Sequence, residues 1–167
     1  MFTIGILASG KGSNLQAIID YIKEKNLSIK IGIVISDNQQ AFALKRAETQ
    51  GIKKLYVNPG RYKTFLEPKA ERYIVEILRQ HKVNLVCLAG FMRVLKKYFI
   101  EAFNNRIVNI HPSLLPAFPG LESWKQALDY GVKFTGCTTH FVEYKIDAGP
   151  IIMQAVVPVL KDDTPET

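Results

Sequence analysis

The chain is poor in the residues that staple or metallate small folds: it has two cysteines, three histidines and one tryptophan in 167 residues. Cys87 lies in the apolar run Asn84 to Ala89 and Cys137 in a second strand-like run, so both read as small buried hydrophobes rather than a disulfide or metal pair. A reducing compartment follows. The histidines are spread along the chain, and no Cys/His spacing resembles a ligand set, so no metal is expected. No apolar run approaches the about eighteen residues that a membrane span needs. Nor does a basic leader precede the first strand, which gives the expectation of a cytoplasmic protein without a membrane partner. Internal repeats and low-complexity tracts are also missing, which excludes solenoid and disordered classes.

What remains is ordinary globular composition, 47% hydrophobic and 22% charged, and one domain over residues 1–167 is expected. The net charge of +7 suits an anionic ligand and nucleic acid equally. Most of the Lys and Arg are scattered over expected helices, where they read as solvated faces.

Thr3 to Ala8 is a short apolar strand, followed by a glycine loop and a helix carrying Leu15, Ile18, Ile19 and Ile22 at helical spacing. Ile29 to Ser36 is a second strand, Ala41 to Gln50 a second helix closed by Gly51, and Lys54 to Val57 a short third strand. A third helix opens at Pro68 and runs to His81, with Ala70, Tyr73, Ile74, Ile77 and Leu78 on one stripe; Leu85 to Ala89 is a fourth strand. Such alternation predicts a doubly wound α/β fold with a mostly parallel sheet and helices on both faces. After Gly131 the alternation stops. Phe134 to Tyr144 and Ile151 to Leu160 read as strands with no helix between them, so the sheet is expected to become mixed toward the C-terminus.

Four segments carry candidate chemistry. Gly10-Lys11-Gly12-Ser13-Asn14 sits between the first strand and helix, where free N–H groups and the helix dipole favour a phosphate. Ser13 and Gln16 also make a capping box, a purely structural reason for the same residues. The spacing is neither a Walker loop nor the full dinucleotide fingerprint. Ala89 to Leu95 follows the fourth strand, as an apolar slot for a flat heterocycle or as a helix start with Met92 and Leu95 in the core. In Arg106 to His111, strand alternation points Asn109 and His111 to one face, and Pro112 ends the strand. The pair suits oxyanion stabilisation and proton transfer, or simply caps a turn. Asp147, before Ala148-Gly149-Pro150, is either exposed for a partner or held in an Asx-turn. His140 lies in an expected strand and is given a supporting role at most, and His81 ends a helix as a dipole partner.

Taken together, His111-Pro-Ser-Leu-Leu-Pro-Ala-Phe-Pro-Gly120, Gly136-Cys-Thr-Thr-His140-Phe-Val and Asp147-Ala-Gly-Pro150 closely resemble the folate-dependent formyltransferases. The opening Ala8-Ser9-Gly10-Lys11-Gly12-Ser13-Asn14-Leu15-Gln16-Ala17 resembles the branch that formylates glycinamide ribonucleotide, and the similarity runs from residue 2 to the last. This resemblance implies transfer of a formyl group from 10-formyltetrahydrofolate, as co-substrate, to the amine of glycinamide ribonucleotide in purine biosynthesis. It implies catalysis by Asn109, His111 and Asp147, substrate phosphate on Gly12, Ser13 and Asn14, and folate on Met92, Arg93, Val94, Leu95 and Asn109. The basic residue that touches the folate tail in some relatives has no clear match here; Arg61, Lys63 and Lys69 lie nearby in the sequence, and none of them is singled out. The expected partners are these small molecules, without nucleic acid or membrane, and the chain acts as a monomer or homodimer. Formyltetrahydrofolate deformylase and methionyl-tRNA formyltransferase share the catalytic segment and resemble the chain less at its start. The family pattern adds a C-terminal helix, and a carboxylate for the ribose hydroxyls, that nothing in this chain matches.

Overall fold

The computed structural model describes residues 1–164. Pro165, Glu166 and Thr167, counted in the expected domain, lie outside the described residues. The chain divides into two compact units, Met1–Ile107 and a second from Val108 onward.

In the first unit, β1 (Phe2–Leu7), β2 (Ile29–Ser36), β3 (Lys54–Tyr56) and β4 (Leu85–Leu88) pair in the order β3-β2-β1-β4, every ladder parallel. Runs of Ile and Val make these strands because branched side chains pack well on a pleated surface covered on both sides. Helices α1 (Ser13–Glu24) and α2 (Phe42–Thr49) bury Leu15, Ile19, Ala43, Leu44 and Ala47 against Ile4, Ile6 and Val34. On the opposite face of β1, Gly5 lies under α3 (Pro68–Gln80): a Cβ there would stand 2.6 Å from Leu78 Cδ2. A larger residue there would force the end of the Leu78 side chain to shift.

The expected stripe on α3 is half right. Ala70, Ile74 and Leu78 are buried, but Glu71 and Val75 join them, while Tyr73 is 45% exposed. The reason is a second neighbour, α4 (Lys97–Ala102), which packs on α3 and is too short to show a period in the sequence. Glu71 Oε1 accepts the backbone N–H of Lys96, the N-cap of α4, at 2.9 Å. A buried carboxylate thus satisfies a helix-terminal donor and complements the helix dipole. His81 is the C-cap of α3, and its Nδ1 meets the Ile77 carbonyl at 2.9 Å, as its dipole role requires.

β5 (Ile107–His111) starts on the last residue of the first unit and runs on into the second, where β5, β6 (Phe134–Phe141) and β7 (Ile151–Pro158) pair antiparallel in that order. The expected change from parallel to mixed pairing is therefore present. α5 (Ser123–Tyr130) ends on Gly131 in the left-handed conformation, whose N–H closes on Ala127 and Leu128. A buried Thr138 on β6 organises the interior: its Oγ1 donates to Ser113 O at 2.7 Å and accepts from Leu115 N and Gln154 Nε2, both at 3.0 Å. Every residue of β7 is exposed.

Both cysteines are free and partly buried, and Cys87 packs against the core of the first unit. Among the described residues no helix is long and apolar enough to cross a membrane.

Candidate active site

The alternation of β5 puts Val108 and Ile110 on one face and Asn109 and His111 on the other. Antiparallel register then sets Asn109 directly opposite His140 of β6, and Asn109 Nδ2 lies 3.3 Å from His140 Nε2. Asp147 belongs to the loop between β6 and β7. That loop folds back because Gly149 lies against the strand end, where a Cβ would stand 1.9 Å from the Phe141 carbonyl oxygen, and because Phe141 N–H donates to Pro150 O at 2.9 Å. Asp147 itself takes a left-handed φ of 50°, a conformation that Asp tolerates better than most residues.

The carboxylate of Asp147 is thereby set between two imidazoles. Its Oδ2 is 3.4 Å from His111 Nδ1 and its Oδ1 is 3.6 Å from His140 Nε2, with the side chains 10%, 5% and 2% exposed respectively. Gly120 N–H donates to the same Oδ2 at 2.9 Å, so the Pro-rich loop after β5 holds the carboxylate as well. His111 Nε2 meets the Phe118 carbonyl at 2.9 Å, and both its ring nitrogens face acceptors. Ser113 Oγ, fully buried, donates to the Ala117 carbonyl at 2.6 Å and holds the loop in this shape.

Charge is stabilised within this cluster. Burial alone would raise the Asp147 carboxyl, but His140, the Gly120 N–H and the charge on His111 together hold it below the usual carboxylate range. Burial opposes a charge on His140 too, and is outweighed by Asp147 and by the Phe141 carbonyl at 2.9 Å from Nδ1, so its pKa is raised. Neutral His140, protonated on Nδ1, accepts from Asn109 at its bare Nε2; charged His140 turns an Nε2–H toward Asp147. Asn109, His111 and Asp147 are thus brought together as expected, and His140, given a supporting role at most, contacts both Asp147 and Asn109 directly. Its signal was the pairing of two strands that each carry a polar residue at the same register, which a strand read alone does not reveal.

In the first unit, α1 starts at Ser13 with Gly12 as N-cap in the left-handed conformation (φ 72°), and no side chain caps it. The capping box does not form: Ser13 is already helical, and Gln16 is drawn away to Asp20 (2.8 Å) and Arg46 (3.1 Å). The first helical bond runs from Gln16 N to Gly12 O, and the first turn carries no acidic residue. The N–H groups of Ser13, Asn14 and Leu15 precede that bond, in a field that favours an anion. α2 holds the loop from behind. Ala43 N–H donates to Gly10 O (3.1 Å), Arg46 Nε to Lys11 O (2.9 Å), and a Cβ on Gly12 would stand 2.8 Å from Ala43 Cα.

The segment after β4 is not helical: it bends at Gly90 and Arg93 and forms an isolated bridge at Val94. Met92 N–H donates to Ser9 Oγ at 2.9 Å and Val94 N–H to Thr64 O at 2.8 Å. Among the described residues no bond engages the N–H of Arg93 or Leu95. The side chains of Met92 and Val94 are exposed, and Leu95 is buried. Elsewhere, Cys87 has its thiol pushed up to about 11 by burial, which removes it as a nucleophile near neutral pH. No three or more His, Cys, Asp or Glu side chains gather as a metal site among the described residues.

A paired amide, two imidazoles and one carboxylate can stabilise an oxyanion and move one proton, which is the equipment of acyl transfer. Comparison with known proteins agrees in class. Residues 3–167 match the formyl transferase family model. The chain is 41% identical to phosphoribosylglycinamide formyltransferase of Bacillus subtilis (strain 168), over 100% of this chain and 85% of that protein. It is 46% identical to the human trifunctional purine biosynthetic protein adenosine-3 over 98% of this chain, but spans only 16% of that protein. Among solved structures, glycinamide ribonucleotide transformylase 1 from Symbiobacterium toebii superposes with a TM-score of 0.92 at 49% identity, over 99% of this chain and 77% of that one.

Proposed function

The chain belongs to the formyl transferase family, and we propose that it transfers the formyl group of 10-formyltetrahydrofolate to the amine of glycinamide ribonucleotide. The observation that carries this reading is the Asp147 carboxylate bridging His111 and His140 beside Asn109. The relatives' names supply the acceptor and the phosphate loop agrees with it.

In this reaction the amine nitrogen attacks the formyl carbon and the carbonyl electron pair moves to oxygen. The tetrahedral intermediate then collapses, the bond to N10 of the folate breaks, and the proton lost by the amine ends on N10. Asn109 and His111 donate hydrogen bonds to the oxyanion, and His111 is the general acid toward N10. The His111 Nε2–H, held by the Phe118 carbonyl, is the donor that a bound intermediate competes for. Asp147 keeps His111 oriented and, with His140, relays the proton. Gly12, Ser13 and Asn14 take the substrate phosphate at the uncapped start of α1.

Met92 to Leu95 reads the folate heterocycle through its main chain. Since Met92 and Val94 spend their N–H groups inside the protein, the reading donors are those of Arg93 and Leu95. The enzyme acts in the cytoplasm on these two small molecules.

The test is release of tetrahydrofolate from 10-formyltetrahydrofolate with and without glycinamide ribonucleotide. Release that depends on the nucleotide supports the transferase. Release to water alone indicates a deformylase, and release dependent on methionyl-tRNA indicates that enzyme instead.

A further inference from the structure

Asp37 is the residue directly after β2, 28 residues after Ser9 and 56 before Arg93, yet all three meet. Its side chain is 4% exposed, and its carboxylate forms a 2.6 Å ion pair with Arg93 Nε, itself only 16% exposed. The other carboxylate oxygen accepts Ser9 Oγ–H at 2.5 Å. Ser9 Oγ in turn accepts the Met92 N–H. The Arg93 guanidinium reaches further, donating to the carbonyls of Tyr62 and Lys63. Next to it, Val94 bridges Phe65 as a parallel β-pair.

All of these contacts except the Ser9–Asp37 bond engage residues 92–94, and the Asp37 carboxylate ties Ser9 to Arg93. It holds Ser9 Oγ so that its lone pair faces Met92 N–H, and it anchors the guanidinium that clamps the loop at residues 62 and 63. Removal of the carboxylate would leave Arg93 charged, buried and unpaired, so the guanidinium would seek water and carry its backbone along. We propose that Asp37 is a positioning residue for the folate: it fixes the 92–95 segment in the register that leaves the N–H groups of Arg93 and Leu95 for the heterocycle. This rests on the folate reading of that segment given above. It also gives the Arg93 side chain a different task from its main chain: the side chain is a clamp, and the N–H is the reader.

The experiment compares Asp37→Ala, Asp37→Asn and Ser9→Ala with the parent chain by calorimetric titration with tetrahydrofolate and, separately, with glycinamide ribonucleotide. Steady-state kinetics accompany the titrations. For Asp37→Ala the Kd for tetrahydrofolate and the KM for the formyl donor should rise about ten- to a hundredfold, the range that a small misplacement of binding groups produces. The Kd for the nucleotide should stay unchanged. Asp37→Asn should fall between Ala and the parent, because its amide oxygen keeps one of the two acceptor positions, toward Ser9 or toward Arg93, while the amide nitrogen cannot accept at the other. Ser9→Ala, the mildest change, should show the same selectivity and carries the test if Asp37→Ala does not fold. Folded variants whose folate affinity is unchanged, or that lose both ligands equally, would overturn the proposal. A parent chain that binds the nucleotide but no tetrahydrofolate would sink the folate reading and this inference with it.

Discussion

Gly149→Ala is the most revealing single substitution, because Gly149 touches no expected substrate. A Cβ at this position would stand 1.9 Å from the Phe141 carbonyl oxygen, whereas ordinary contact begins at 3.4 Å, so the loop must retreat by 3.4 − 1.9 = 1.5 Å. The obstacle is backbone in the middle of a strand end and cannot rotate away. Retreat breaks the 2.9 Å bond from Phe141 N to Pro150 O and displaces Asp147, two residues earlier. Its contacts with Gly120 N (2.9 Å) and His111 Nδ1 (3.4 Å) do not survive a shift of that size. Overpacking of this kind costs about 1–3 kcal/mol, and a chain of this length loses about 2–4 °C of Tm per kcal/mol, so a drop of about 2–12 °C is expected. Misplacing a catalytic support by more than 1 Å costs about a hundredfold in rate. The assay pairs thermal unfolding with formyl transfer, and uses Gly10→Ala, where a Cβ meets nothing within 4 Å, as the stability control. Gly149→Ala with parental Tm and parental turnover would refute the claim that this contact sets Asp147.

Three further outcomes follow from the same geometry. The raised pKa of His140 means that its charge stabilises the fold fully below the unfolded value of 6.5, and that this contribution is lost as pH rises through the folded pKa. His140→Asn should therefore cost more Tm at about pH 5.5 than at about pH 9, and an equal cost at both would contradict the pairing with Asp147. Glu71→Ala strands the Lys96 N–H at the start of α4 and should destabilise by about 1–3 kcal/mol in urea unfolding, with no change expected in the pH profile of turnover. Cys87, with its thiol near 11, should resist alkylation at neutral pH in the folded chain and react quickly only after unfolding.

The fold was legible wherever a residue's neighbours along the chain also decide its environment. The Ile- and Val-rich strands, the 3.6-residue period of α1 and the loss of alternation after Gly131 all needed nothing else. Asn109 and His111 were legible for the same reason, since strand alternation alone sets them on one face. Departures arose where a partner distant in sequence intervened. α4 drew Glu71 and Val75 into the interior and left Tyr73 outside. Arg46 and Asp20 drew Gln16 away from Ser13, and the left-handed Gly12 moved the N-cap one residue earlier than a capping box requires. His140 gained its role from the register of β5 on β6, and Asp37 from Arg93, 56 positions away. Pattern and propensity contain no such information; only packing supplies it.

The central claim is that Asn109, His111 and Asp147 act as one unit on the formyl group, and the direct measurement is kcat/KM for formyl transfer in Asn109→Ala, His111→Ala and Asp147→Asn, each checked for folding by circular dichroism. An oxyanion donor or a general acid contributes about 10²-fold or more, so each variant should lose at least about a hundredfold with its fold intact. Near-parental turnover in all three folded variants would contradict the account.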